Sequence, residues 1–205
     1  MFISFEGIEG SGKSTLIAAL ALELQSIGAD VLVTREPGGT AFGDAVRSIF
    51  IDPQMRIDPL AEAFLMNASR AQHVVESIAP VLKTASIVLC DRFFDATVAY
   101  QGYGRGLDIE MLIRLSLVAS QSIAPDITFL LDIDAATSIE RVRARGTSDR
   151  IEQEDTGFYE RVRAGYLELA GRFSRIVVLD GREPPETLLA QALQIVVRRR
   201  YMVTL

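Results

Sequence analysis

Short apolar runs alternate along the chain with longer segments in which apolar residues recur every three or four positions. Phe2-Ile3-Ser4-Phe5 reads as a buried strand, and Leu16, Ile17, Leu20, Leu24 and Ile27 follow it at helical spacing. Asp30-Val31-Leu32-Val33-Thr34 reads as the next strand, and residues 41–50 as a helix. Asp58 before Pro59 has the pattern of an N-cap followed by proline in the first helical position. The helix it opens is expected to run to about Lys83, with Phe64, Ala68, Ala71, Val75, Ile78 and Leu82 forming its core face. Met66, Arg70 and His73 fall on another face of that helix, at i, i+4 and i+7. Ile87-Val88-Leu89-Cys90 is an apolar strand ending in Asp91, and a helix over 107–122 comes next. Strand Ile127–Asp132, helix 135–145, a polar loop over 146–156, helix 157–173, strand 175–179 and helix 185–200 complete the pattern. This alternation predicts an α/β fold, a five-stranded parallel sheet flanked by helices. No internal repeat or Pro/Gly/Ser-rich linker interrupts it, so residues 1–205 read as a single domain.

In such a sheet, ligands sit beyond the carboxyl ends of the strands. The segments there are Glu6 onward, Arg35-Glu36-Pro37-Gly38-Gly39-Thr40, Asp91-Arg92-Phe93, and Asp132 onward. The first of them contains Gly7-Ile8-Glu9-Gly10-Ser11-Gly12-Lys13-Ser14-Thr15, a phosphate-loop pattern placed between a strand and a helix, as its mechanism requires. The glycines let successive backbone N–H groups turn inward as an anion cradle, and the helix that follows adds its positive end. Lys13 is placed to reach β and γ phosphates, and Ser14 to offer its hydroxyl to Mg²⁺. Asp91, at the end of an apolar strand, is a second candidate for positioning the metal. Arg92 beside it is a candidate fork onto phosphate oxygens. Glu36 and Pro37 are candidate substrate contacts after the second strand.

Composition narrows the chemistry. The net charge is −6, with no basic tail to suggest a nucleic-acid partner, so a polyanion ligand requires locally concentrated cations. Cys90 is the only cysteine and is read as a small buried hydrophobe, which excludes an intrachain disulfide and a cysteine metal cluster. His73 is the only histidine and is read as structural or surface-lying, with His-rich zinc sites excluded. No run approaches the roughly 18 apolar residues of a membrane span. No secretory leader pattern opens the chain, and a cytoplasmic location is expected.

Five segments together carry a more specific signal: Phe5-Glu6-Gly7-Ile8-Glu9-Gly10, Thr34-Arg35-Glu36-Pro37-Gly38-Gly39-Thr40, Asp91-Arg92-Phe93, Ala99-Tyr100-Gln101-Gly102 and Asp149-Arg150-Ile151-Glu152. In order and spacing, over nearly the whole chain, they resemble the thymidylate kinase family. The resemblance implies the P-loop nucleoside triphosphate hydrolase / nucleotide kinase fold. It also implies transfer of the ATP γ-phosphoryl group to dTMP with Mg²⁺, in a homodimer, within dTTP biosynthesis. By the same resemblance, Glu9 lies by the 3′-hydroxyl of dTMP. Arg70 reaches the thymine and 5′-phosphate region, Thr97 the pyrimidine edge, and Tyr100 the sugar, where it obstructs a 2′-hydroxyl. Gln101 and Arg105 lie close by. The family has Phe four residues before the helix arginine; here Met66 stands in that place, a thioether that can still pack on a ring.

Residues 143–156 read as a lid, polar and bearing Arg143, Arg145 and Arg150. Nucleotide kinases close such a segment over the phosphates to exclude water. The phosphate-loop positions Ile8, Glu9 and Ser11 carry no arginine, so the sequence resembles the bacterial type, in which the lid supplies the cation. Arg150 is the first candidate for that role and Arg145 the second. The competing readings are a kinase for another small acceptor, a nucleotide-dependent switch, and a phosphate-loop protein with only a structural role. Intact Lys13, Ser14, Asp91 and Arg92 speak against the last.

Overall fold

A computed structural model describes residues 1–84, 86–146 and 149–201, apart from the side chains of Arg145 and Tyr201. Five parallel strands, β1 (Phe2–Glu6), β2 (Val31–Arg35), β3 (Ile87–Asp91), β4 (Ile127–Asp132) and β5 (Ile176–Asp180), form one sheet in the order β2-β3-β1-β4-β5. The register aligns Phe5 with Asp91 on one side and with Phe129 on the other, so the ends of β1, β3 and β4 come level. Every residue of β1 is buried, as expected of a central strand covered on both faces.

On one face, α1 (Lys13–Ser26) and α9 (Pro185–Tyr201) pack Leu16, Leu20, Leu24, Leu188 and Val196 onto Ile3, Phe5, Leu89 and Phe129. Ile27 lies past the end of α1 and is exposed, outside the stripe expected for it. The other face carries α3 (Pro59–His73), a π-helical turn Val74–Ile78, the short α4 (Ala79–Leu82), and α8 (Thr156–Arg172). Also there are the short α5 (Phe94–Thr97), which runs on into a π-wound segment Val98–Gly104, and α6 (Ile109–Ala119). α2 (Ala41–Ile51) packs on α3, and α7 (Ala135–Arg145) packs on α8.

Helix starts follow local chemistry. The carboxylates of Asp58, Asp108, Asp134 and Asp155 each accept a backbone N–H of the first turn that follows, and Pro59 sits at the first position of α3 as expected. One expectation fails in α3. Its buried face is Glu62, Ala63, Met66, Asn67, Ser69, Arg70 and His73, while Phe64 and Val75 are 53 % and 54 % exposed. Within α3 the expected apolar stripe therefore looks outward and a polar stripe packs inward, whereas farther along, Ile78 and Leu82 pack into the core as expected.

Candidate active site

The phosphate loop curls between β1 and α1 with Gly7, Gly10 and Gly12 at positive φ. Gly7 could carry no side chain, since a Cβ there would lie 2.5 Å from Leu131 O. Lys13 folds back over the loop, its Nζ donating to Gly7 O and Ile8 O at 3.0 Å each and to Ser11 Oγ at 3.3 Å. Burial first, and then the Arg92 charge, lower its pKa to about 8, against the pull of Asp91, Glu9 and Glu6. The Ser14 hydroxyl donates to Asp91 Oδ2 at 3.1 Å, so the two candidate metal contacts, one at the start of α1 and one at the end of β3, already meet.

Arg92 follows β3 in the left-handed region, at φ 68°, a conformation that costs an arginine of order 1 kcal/mol or more. The turn aims its guanidinium back at the loop. Nη2 donates to Glu9 Oε1 at 2.6 Å and Nη1 to Gly7 O at 2.9 Å and Tyr166 Oη at 3.1 Å, and the group lies over the Tyr100 ring at 4.9 Å. Glu9 is held from both sides, since Tyr100 Oη donates to its Oε2 at 2.7 Å. Beneath them, buried Glu6 accepts the Phe93 N–H at 2.7 Å and the Tyr166 hydroxyl at 2.8 Å. Burial, reinforced by the Asp95 charge, pushes the Glu6 carboxyl up to about 8.

Two cavities meet here. The larger, of about 450 Å³, is floored by Glu9–Thr15 and walled by Arg35, Arg47, Asp91, Arg92 and Arg141. The smaller, of about 80 Å³, is lined by Pro37, Phe50, Met66, Ala96, Tyr100, Gln101 and Ile151. Glu9, Glu36, Arg47, Arg92 and Asp149 border both. In a chain of net charge −6, the larger cavity brings five cations, Lys13, Arg35, Arg47, Arg92 and Arg141, to one place beside five carboxylates.

Glu9–Thr15 thus face the larger cavity, whereas Gly7 and Ile8 are buried beneath the loop. Glu9, Glu36, Pro37, Met66, Arg92, Tyr100 and Gln101 border the smaller one, but Arg70 and Thr97 do not. Both are fully buried behind its wall, with Arg70 donating to Glu36 Oε2 at 2.8 Å, Asn67 Oδ1 at 3.1 Å and Thr97 Oγ1 at 3.0 Å. His73 is structural: its Nδ1 meets Glu36 Oε1 at 3.0 Å and its Nε2 meets Thr34 Oγ1 at 2.7 Å, tying α3 to β2. Cys90 is buried and reduced, and burial pushes its thiol up.

Arg150 differs from the expectation that it lies over the phosphates. It borders neither cavity; its Nε donates to Phe50 O at 2.8 Å, its Nη1 to Glu62 Oε1 at 2.6 Å, and it stacks on Phe50 at 5.0 Å. The buried Glu62 carboxylate, the Phe50 carbonyl and the Phe50 ring together hold this guanidinium away from the phosphate loop. The side chain of Arg145 lies outside the described residues; its backbone occupies the last turn of α7, four positions beyond Arg141. Arg141 Nη1 donates to Gly10 O and Gly181 O, each at 3.1 Å. Arg35 lies in the segment at the end of β2 where the sequence placed ligand contacts, whereas Arg47 and Arg141 escaped the sequence reading; Arg47 stands in the middle of α2, away from any strand end.

The family model for thymidylate kinase matches residues 5–192. A thymidylate kinase of Pelotomaculum thermopropionicum is 50 % identical over 176 residues, covering 85 % of this chain and 82 % of its own. One from Deinococcus radiodurans is 45 % identical over 192 residues, 93 % of each chain. The crystal structure of thymidylate kinase from Ehrlichia chaffeensis superposes with a TM-score of 0.81 at 34 % identity, over 96 % of this chain and 98 % of that one.

Proposed function

The chain belongs to the thymidylate kinase family and phosphorylates dTMP to dTDP with ATP; from that premise we propose which of its residues do the work. ATP takes the larger cavity, its β and γ phosphates in the cradle of Glu9–Thr15, with Lys13 leaving its backbone acceptors for the phosphate oxygens. dTMP takes the smaller cavity, its base between Met66 and Gln101 and its sugar against Tyr100 and Glu9. Arg70 and Thr97 back that pocket and hold its wall. The observation that carries this reading is the shared border of the two cavities at Glu9, Arg47 and Arg92.

Phosphoryl transfer asks for alignment and charge neutralisation, and a phosphate monoester whose second pKa is about 6 needs no dedicated base near neutrality. Arg92 and Arg47 stand where the acceptor phosphate of dTMP meets the γ-phosphate, and Arg92 is held in place by Gly7 O, Glu9 and Tyr166. Ser14 and Asp91 fit Mg²⁺, which binds through a few protein oxygens together with phosphates and water, and the ion would neutralise phosphate charge when bound. Arg145 replaces Arg150 as the lid cation that we favour, because Arg150 is engaged by Glu62. Residues 1–205 are taken as one such domain, with 143–156 as its lid.

A homodimer is supported by exposed apolar side chains on three helices packed side by side: Phe42 and Ile49 on α2, Phe64 on α3, and Val118, 77 % exposed, on α6. No helix among the described residues is long and apolar enough to cross a membrane, and a cytoplasmic site of action suits the nucleotide substrates. The test is ADP release from ATP and Mg²⁺ with dTMP, dUMP, dCMP, UMP, thymidine or no acceptor. Release that requires a monophosphate and is greatest with dTMP supports the reading. Equal release without acceptor refutes it.

A further inference from the structure

Glu62 of α3 is fully buried, yet donors from three places converge on its carboxylate. Arg150 Nη1 reaches Oε1 at 2.6 Å, and Arg105 reaches Oε1 through Nη2 at 3.2 Å and Oε2 through Nε at 3.3 Å. Gln101 Nε2 donates to Oε2 at 3.0 Å. Arg105 is also paired with Glu154 at 2.7 Å, so the cluster gathers the lid, the π-wound segment and α3. Ion pairs taken out of water gain little net stability, so so costly a cluster is better explained by what it holds in place.

The chemistry of the carboxylate fixes the amide. An ionised carboxylate only accepts, so the end of Gln101 that faces Glu62 is its NH₂. The carbonyl oxygen is then the end that Gln101 presents to the smaller cavity, which it lines with Met66, one helical turn beyond Glu62. The same carboxylate anchors Arg150, whose backbone N–H donates to Ile51 O at 3.0 Å and whose neighbour Ile151 closes that cavity from the lid side. Arg150 Nη2 is buried without a hydrogen-bond partner, so the docked lid is incompletely satisfied; Glu62 supplies its counter-charge, and Phe50 O and Ile51 O take its Nε and backbone N–H.

We propose that Glu62 is a positioning residue of the pyrimidine pocket, turning the Gln101 amide to present an acceptor to the base and docking the lid through Arg150, so that base selection and lid closure share one carboxylate. This rests on the placement of the dTMP base in the smaller cavity. An acceptor there suits the N3–H of thymine. Cytosine carries a lone pair at N3, and the facing acceptors repel.

The test compares kcat/KM for dTMP and dCMP. Glu62→Gln can donate as well as accept, which frees both orientations of the Gln101 amide and strips Arg150 of its counter-charge. The dTMP-to-dCMP preference is expected to fall about tenfold or more, and KM for dTMP to rise while KM for ATP stays within about twofold. Arg150→Gln leaves Glu62 with its Arg105 and Gln101 partners, so it is expected to raise KM for dTMP and to keep the preference. A Glu62→Gln enzyme that melts lower but keeps the preference makes Glu62 merely structural and overturns the proposal. Gln101→Ala separates the two levels: if it leaves KM for dTMP unchanged, the base is not in this cavity and the underlying reading fails. Should Glu62→Gln not fold, NMR of the wild-type complex decides. A Gln101 NH₂ that exchanges slowly and lacks a strong cross-peak to the thymine N3 proton supports the proposal; a strong cross-peak overturns it.

Discussion

Replacing Arg92 by Gln removes the cation that sits between the two cavities while leaving most of its surroundings intact. The guanidinium makes three polar contacts, to Glu9 at 2.6 Å, Gly7 O at 2.9 Å and Tyr166 Oη at 3.1 Å. Glu9 keeps the Tyr100 hydroxyl at 2.7 Å and is 15 % exposed at its side chain, so water can take up part of the freed carboxylate. All three bonds are lost, but Gly7 O keeps the Lys13 ammonium and Glu9 keeps Tyr100, so the loss to folding is about 1–3 kcal/mol. In a chain of this size that lowers Tm by about 2–4 °C for each kcal/mol. The loss to catalysis is larger, because a fixed cation acts on charge that develops during transfer; by analogy with removing one preorganised donor it is about 10²–10³ in kcat. Arg92→Lys keeps the charge without the fork and falls between the two. The assay is coupled ADP release with saturating ATP and varied dTMP, beside a thermal melt. A folded Arg92→Gln enzyme with kcat within about threefold of wild type would refute the placement of Arg92 at the reacting phosphates.

Three further outcomes are expected. Because the folded pKa of Lys13 is about 8, below its ordinary 10.5, the unfolded chain holds that proton more tightly between those values, and Lys13 makes stability rise with pH across that window. ATP affinity moves the opposite way, falling above pH 8 as Lys13 loses its charge, and calorimetry near pH 8 in buffers of different ionisation enthalpy is expected to show proton uptake on binding. Arg47→Gln, which removes a cation bordering both cavities, is expected to raise KM for dTMP by about tenfold at little cost in Tm; steady-state kinetics that show no change remove Arg47 from the site. Met66→Phe gives the smaller cavity a ring to stack on thymine, and KM for dTMP is expected to fall by about two- to fivefold, an aromatic pair being worth about 0.5–1.5 kcal/mol; a rise shows that the added volume crowds the pocket.

The sheet and the phosphate loop were legible because they are written locally. A buried strand is a short apolar run, and a loop that must bend around an anion needs glycine at positive φ, so Gly7, Gly10 and Gly12 announce themselves. The far side of α3 was not legible in that way. Its core-facing stripe is Glu62, Asn67, Ser69, Arg70 and His73, polar groups that bury only because Glu36, Thr97, Gln101, Arg105 and Arg150 arrive from elsewhere in the chain to satisfy them. The segment after Phe93 gave no helical signal, since it is short, carries Gly102 and Gly104, and is held by Phe158 and Val162 of α8 pressing on Gly104. Arg47 was passed over because nothing in its own helix reveals the cleft opposite. Arg150 was placed in the lid by motif, but its resting partner, Glu62, lies 88 residues away in sequence.

The measurement that bears most directly on two substrates meeting across one border is the binding of adenosine and thymidine joined 5′ to 5′ through five phosphates. The account predicts one equivalent per chain, displaced by either ATP or dTMP, at least about 100-fold tighter than dTMP alone, because linking makes the second engagement intramolecular. Binding no tighter than that of ATP, or displacement by only one of the two nucleotides, would mean that the cavities do not form a single site and would contradict the account.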